Sequence, residues 1–512
     1  MVGWERRGKD LESDTTREKE FLIPKKTLNK IKTSDLRYAV IIVLIFLISR
    51  IIYWALGIRF NVLPLDRYWH YIDPSLLKNN LLESLWHLHS QPPLFNLYLG
   101  AVLKLSGQSL QTIFHISYLL CGLILSLSLF FIMFRLSVSV WISLIFTSLF
   151  ILSPESILYE NFLFYTYPVS MMLCTSGLVL YEFLRSKRLK YGIIFFLLLS
   201  AIVLTRGMFH ILWFILIAFL IILFKKDCLK KILLSLLIPF LLILGVYVKN
   251  YLLFGNFTTS TWLGMHFSRI STFQLSKDER LSFIERMKLS PFAQIEPFGE
   301  ICVYRDFLDE SQDSRFSHIP VLTEEYKSSG DANYNHILYI EISKKYLQDD
   351  LYVIRTRPDA YLKGLNASLH IFFSPSHDYK FLEPNRDRIS SVEKIYSRFV
   401  FGRFFPKIKQ GIFLILATMT VLIYGFTIFF KSMKRKIYRN KAKATLVFLW
   451  INIIYVTSLS NLLEVGENNR FRMLINPLII ILFAHFIDRF LKKKINVILA
   501  SIGIGMKKII HS

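Results

Sequence analysis

The sequence predicts an all-α polytopic membrane protein of about ten to twelve transmembrane helices, with one mixed extracytoplasmic domain inserted among them. Three observations predict it. Hydrophobic residues make up 53% of the 512 and charged residues only 19%, against about a quarter in soluble domains; mean hydropathy is +0.42. The apolar residues lie in long unbroken runs, not in the alternating or helical patterns of half-buried elements. Lys and Arg collect between the runs, as they do in cytoplasmic loops. With 45 Phe and 25 Tyr, the chain is neither disordered nor a small disulfide scaffold. The net charge of +25 belongs to loops between apolar runs, which reads as membrane topology and not as a nucleic-acid partner.

Ten runs are candidate spans: 38–56, 112–134, 138–152, 162–184, 191–204, 209–224, 232–248, 411–430, 444–459 and 473–487. Several fall short of the roughly 20 residues of an ideal span, so their ends must extend into flanking residues. Runs 92–106 and 495–505 are marginal. No cleavable signal peptide is visible, and the first run is long enough to stay as a signal anchor. Cys121 and Cys174 fall in apolar runs, Cys228 in a Lys-rich loop and Cys302 in a polar segment, so neither a disulfide framework nor a close metal cluster is expected.

Five basic clusters set the expected topology. They are Lys25, Lys26, Lys30 and Lys32; Arg185, Lys187, Arg188 and Lys190; Lys225, Lys226, Lys230 and Lys231; the stretch 431–443; and Lys492, Lys493 and Lys494. Placed in the cytoplasm, they close consistently with ten spans if 92–106 does not cross. The expected division is a basic cytoplasmic tail, 1–37; an N-terminal bundle, 38–248, with a first outer loop at 57–110; an extracytoplasmic domain, 249–410; and C-terminal helices, 411–512. The setting is a multi-pass protein of the cell membrane, surrounded by lipid.

The chemistry-bearing residues all fall on the expected outer face. The first loop offers Asp66 and Asp73, with His70, His87, His89 and Gln91 ahead of Pro92 and Pro93. A carboxylate near the membrane surface can deprotonate a hydroxyl; equally, Asp73 before Pro74 is a good helix N-cap. Glu160 heads an aromatic span, where an acid needs a partner or a task. Arg206 is alone in a tight turn between spans, with His210 just beyond. It is either a phosphate holder or an interface arginine. The last loop crowds Glu467, Asn468, Asn469, Arg470 and Arg472 against a span, and its two arginines suit a phosphate or pyrophosphate. A divalent metal has no support beyond the loop pair His87 and His89.

Taken in order on one face, these pieces resemble the integral-membrane C-type glycosyltransferases, relatives of protein O-mannosyltransferases and aminoarabinose transferases. The resemblance covers most of the membrane part. It rests on the acid-bearing first loop followed by Gln91-Pro92-Pro93-Leu94-Phe95-Asn96-Leu97, on Arg206, on Lys249-Asn250-Tyr251 with Phe254-Gly255-Asn256-Phe257, and on Glu467–Arg472 before Pro477. The chain departs from the family's early acidic pair, since Asp66 is followed by Arg67. The resemblance implies transfer of a sugar from a polyprenyl-phosphate-linked donor to an extracytoplasmic acceptor, with inversion. Asp73 or Asp66 would be the base and Glu160 a secondary or acceptor-positioning acid. Arg206, Arg470 and Arg472 would hold phosphate, with His210, Glu467, Asn469, His89 and Gln91 lining the site. A polysaccharide polymerase or ligase, or a lipid-sugar flippase, is the rival expectation; nearly uncharged span interiors, apart from Arg50 and Glu182, weigh against transport.

Overall fold

The structure, a computed structural model, describes residues 27–308, 316–405, 407–434 and 441–510. Lys25, Lys26 and residues 435–440 of the fourth basic cluster lie outside the described residues. The chain is an all-α polytopic membrane protein. It is 76% helical, and extended pairing among the described residues is limited to the isolated bridges Asn61–Phe162 and Tyr326–Ala332. It divides into two compact units after Ile41, and the contacts described below lie within Ile42–Ser512.

Each of the ten apolar runs forms a helix: α1 Thr27–Ala55, α2 Leu110–Arg135, α3 Val140–Ile151, α4 Thr166–Ser186, α5 Leu189–Thr205, α6 Ile211–Phe224, α7 Leu229–Phe254, α8 Ile412–Lys434, α9 Lys441–Leu463 and α10 Asn476–Ile510. Six of these (α1, α2, α4, α7, α8, α9) are long and apolar enough to cross a membrane. α3 and Pro154–Glu160, which meet at a 53° bend, reach that length and apolarity only when taken together. The marginal run 92–106 is the shorter apolar helix Pro93–Leu105, opened by Pro at its first turn.

Two sets of buried charges inside the bundle are paired. Arg50 of α1 donates from Nε and Nη2 to the two oxygens of Glu160 at 2.9 and 2.7 Å, and Tyr167 Oη adds a third bond at 3.2 Å. Gly122 of α2 makes room for this pair, because a Cβ there would lie 1.9 Å from Glu160 Oε2. The partner expected for an acid at this depth is therefore Arg50, 110 residues away in sequence. A second buried set joins Glu155, Arg472, Asn476 and Ser376.

The segment 249–410, expected to mix secondary structures, is built, among the described residues, from helices and turns with the single Tyr326–Ala332 bridge. Its core is aromatic: Trp262, Phe292, Phe298, Tyr304, Tyr339 and Tyr346 pack with Met265 and Ile342. Gly264 lets Leu263–Ile270 lie directly on Tyr339–Thr356, since a Cβ there would sit 1.8 Å from the Ser343 carbonyl oxygen. The segment is fastened to the first loop. Lys327 Nζ donates to the Tyr68 carbonyl at 2.7 Å, and Lys249 Nζ donates to the carbonyls of Trp86 and Leu88 at 2.9 and 2.8 Å.

Asp350 gives this segment a pH dependence. Its Oδ1 accepts from Ser271 Oγ and Thr272 Oγ1, both at 2.7 Å, while Oδ2 is buried without a partner. Burial outweighs those bonds and pushes the carboxyl up from 3.8 to about 7. A folded acid with a raised pKa keeps a proton the unfolded chain has released, so its contribution to stability falls as pH rises between those values. Asp350→Asn is expected to flatten that decline, read as melting temperature against pH; an unchanged slope would contradict it.

Candidate functional site

A cavity of about 510 Å³ gathers residues from five separate parts of the sequence. The first loop gives His70 and Gln91, and the start of α4 is approached through Tyr165. The α5–α6 turn gives Arg206, Gly207, Met208 and His210. The inserted segment gives Thr258, Ser260, Leu263 and His266, and the last loop gives Glu464, Arg470 and Phe471. The remaining wall is mainly apolar: Leu212, Trp213 and Leu216 of α6, with Tyr455, Leu459, Ser460 and Leu463 of α9. Leu212 is 68% exposed and Leu216 42%, so the apolar end opens onto the side of the bundle at α6. The cavity thus has a charged head and an apolar mouth.

The head holds two buried arginines against one ring. Arg206 stacks on Phe471 with its guanidinium carbon 4.4 Å from the centroid, and Arg470 on the same ring at 4.9 Å. Arg206 Nη1 donates to Tyr165 Oη at 2.7 Å, while its Nε is buried without a partner. Arg470 pairs with Glu467, three residues earlier in the short Asn468–Met473 helix and its cap. Its Nε and Nη1 are both buried without partners. Buried donors left unpaired are rare and costly in native proteins and call for a ligand or water. The rigid, always-charged guanidinium fork matches the oxygens of a phosphate.

The neighbouring groups set the charge balance. Burial pushes the Glu467 carboxyl up, but Arg470 and the bond from Tyr379 Oη at 2.8 Å outweigh it and hold it at about 2. Glu467 is therefore anionic and neutralises much of Arg470. Among the described residues Arg206 has no carboxylate within ion-pair distance. Burial, reinforced by Arg470, holds His70 well below its ordinary value, so it is a neutral imidazole; its Nδ1 is buried without a partner. His266 Nδ1 lies 3.5 Å from Glu464 Oε1. Burial raises the Glu464 carboxyl, yet His266 opposes this and keeps it below the ordinary carboxylate range.

Of the residues expected at a site, Gln91, Arg206, His210 and Arg470 line this cavity, and Glu467 stands directly behind Arg470. The others are placed differently. Arg472 is spent on structure: it donates to the carbonyls of Phe372 and Ser374, to Ser376 Oγ, to Asn476 Oδ1 and to Glu155. No donor is left to hold a phosphate. Asn469 accepts from the Arg470 backbone N–H and donates to the Pro375 carbonyl. His89 is sealed between Thr261 Oγ1 and the Asn335 carbonyl, both 2.9 Å away, and burial holds it down to about 3. Glu160 is held by Arg50 and does not line the cavity. Asp66 is exposed and likewise outside the lining.

Asp73 does cap Pro74–Asn79, accepting from the Ser75 N–H at 2.9 Å. It also accepts from the Ser328 N–H at 2.7 Å and Ser328 Oγ at 2.6 Å. Burial raises its pKa, these bonds outweigh it, and the carboxylate sits below its ordinary value. Both oxygens are thus committed to joining the first loop to the inserted segment. Asp73→Asn is expected to cost about 1.5–3 kcal/mol of stability, the contribution of one charged hydrogen bond, and to spare turnover of a lipid-linked donor. Abolished turnover at an unchanged melting temperature would restore Asp73 as the base.

The residues that sequence reasoning passed over are Tyr165, His266 and Glu464. Glu464 stands in the same last loop, three places before Glu467. His266 carries no local signal and reaches the cavity only because Leu263–Ile270 docks there. Among the described residues, His377, Asp378 and Glu393 form a group able to hold a metal ion. None of the three lines the cavity, and Arg403 already pairs with Asp378 at 3.1 Å. Compared with models of protein families, with curated proteins and with solved structures, the chain finds no match.

Proposed function

We propose that the protein is a membrane glycosyltransferase that moves a sugar from a polyprenyl-phosphate-linked donor to an acceptor on the extracytoplasmic face. The observation that carries this is the pairing of unpartnered Arg206 and Arg470 donors with an apolar mouth on the side of the bundle. A lipid-linked phosphate needs both: a groove reached from the bilayer for the tail, and fixed cations at the end of that groove for the headgroup. The arginines would stabilise the charge that gathers on the leaving phosphate.

The sidedness follows from the basic loops: residues 249–410 and the cavity head face outward. Cys302 is exposed, whereas Cys174 and Cys228 are buried. A membrane-impermeant maleimide is expected to label Cys302 in intact cells; labelling only after permeabilisation would reverse the orientation. The activity itself is tested with membranes carrying the protein, radiolabelled polyprenyl-phosphate-linked hexoses and a cell-envelope fraction as acceptor. Label is expected to leave the lipid in proportion to the protein present. A donor pool that stays intact would contradict transfer.

A further inference from the structure

We propose that Glu464, positioned by His266, is the group that takes the proton from the attacking hydroxyl in this cavity; the proposal rests on the assignment of the cavity as the donor site. Glu464 lines the cavity, is only 8% exposed, and its Oε1 has no hydrogen-bond partner. The facing His266 Nδ1 is equally unpartnered, at 3.5 Å. A buried carboxylate whose facing oxygen meets only the partly exposed His266 imidazole, at 3.5 Å and without a well-aligned hydrogen bond, is expensive to maintain for stability alone. The two groups leave two acceptor or donor positions aimed into the same space as the unsatisfied nitrogens of Arg206 and Arg470.

The other acids of the cavity region are already engaged. Glu467 bonds to Arg470 and Tyr379, Asp73 to Ser328 and Ser75, and Glu160 to Arg50 and Tyr167. Among the described acids of the cavity region, Glu464 is thus the one whose buried oxygen makes no hydrogen bond and meets only His266, at 3.5 Å. Its charge comes from the last loop, as does that of Arg470, so one loop supplies both a proton acceptor and an anion holder. Glu464 sits within electrostatic reach of both arginines.

The step balances as follows. The acceptor hydroxyl gives its proton to Glu464 while its oxygen bonds to the anomeric carbon. The bond from that carbon to the phosphate oxygen breaks, and its electron pair stays on the phosphate. Polyprenyl phosphate leaves with one more negative charge, facing Arg206 and Arg470, and Glu464 later returns its proton to solvent. Single displacement from the side opposite the phosphate inverts the anomeric centre. His266 does not touch the reacting atoms in this scheme. It is a positioning residue that fixes the carboxylate's orientation.

The test uses full-length protein in membranes and two readouts. One is photolabelling by a benzophenone-bearing polyprenyl phosphate; the other is turnover of radiolabelled polyprenyl-phosphate-linked hexoses with an envelope fraction as acceptor. Glu464→Gln keeps shape and hydrogen bonding but is a poor proton acceptor. It is expected to photolabel within about twofold of wild type while turnover falls roughly a hundred- to ten-thousandfold, the loss of a general base. His266→Gln is expected to lower kcat by about tenfold with KM for the donor unchanged, as a change confined to the transition state does. Turnover by Glu464→Gln within about threefold of wild type would overturn the proposal, as would a parallel loss of photolabelling and turnover. Wild-type protein that photolabels but turns over none of these donors would overturn the proton-transfer step and leave the anion site standing. Wild-type protein that fails to photolabel would instead remove the donor site itself.

Discussion

Arg206→Ala is expected to weaken binding of a polyprenyl phosphate by about ten- to a hundredfold, the loss of a charged hydrogen bond of roughly 1.5–3 kcal/mol. Among the described residues its only side-chain hydrogen bond runs to Tyr165 Oη, and no carboxylate there is orphaned when it is removed. The protein should therefore fold and insert normally. Arg206→Lys is expected to recover part of the affinity, because an ammonium restores charge but not the planar two-point contact. Arg470→Ala is the less clean test. It leaves the partly buried Glu467 without its cation, so lost binding comes mixed with lost stability. The check is a binding titration with melting temperatures measured in parallel. Full binding by a folded Arg206→Ala variant would make this arginine an interface anchor.

The Arg50–Glu160 pair carries the largest expected effect on stability. Glu160→Leu strands a buried guanidinium inside the bundle and is expected to cost about 3–5 kcal/mol. Replacing both partners, Arg50→Met with Glu160→Leu, is expected to restore most of that, because a buried pair gives little net stability over an apolar one of similar volume. Thermal unfolding in detergent, read for both singles and the double, decides the matter. A double variant as stable as wild type but inactive would return Glu160 to the chemistry that the sequence suggests for it. Additive losses in the two singles would show that the residues do not act as a pair.

What the sequence revealed of the fold follows from the solvent. A bilayer forces backbone hydrogen bonds inside each segment, so an unbroken apolar run leaves few choices but helix, and all ten runs are helices. Arg206 and Arg470 stand out in the sequence for a related reason, since an arginine set against a span demands a partner, and both line the cavity. The limits were equally physical. Arg470 and Arg472 are two residues apart on one short helix and point to different surroundings: one faces the cavity with unpaired donors, the other sinks into carbonyls of the 372–376 turn. No local pattern separates them. Asp73 reads as both a cap and a base until Ser328, 255 positions away, occupies its oxygens. Glu160 is explained by Arg50 and Glu464 by His266, each through tertiary docking that spacing alone does not encode.

The central claim, that the cavity takes a lipid-linked phosphate by its head and tail together, is tested most directly by photolabelling. Purified protein is exposed to a benzophenone-bearing polyprenyl phosphate, and the labelled peptides are mapped. Crosslinks are predicted on α6 and α9, competed by unlabelled polyprenyl phosphate and not by the matching polyprenol, and weakened in Arg206→Ala. Equal competition by the alcohol, or labelling spread over the outside of the bundle and indifferent to Arg206, would contradict it.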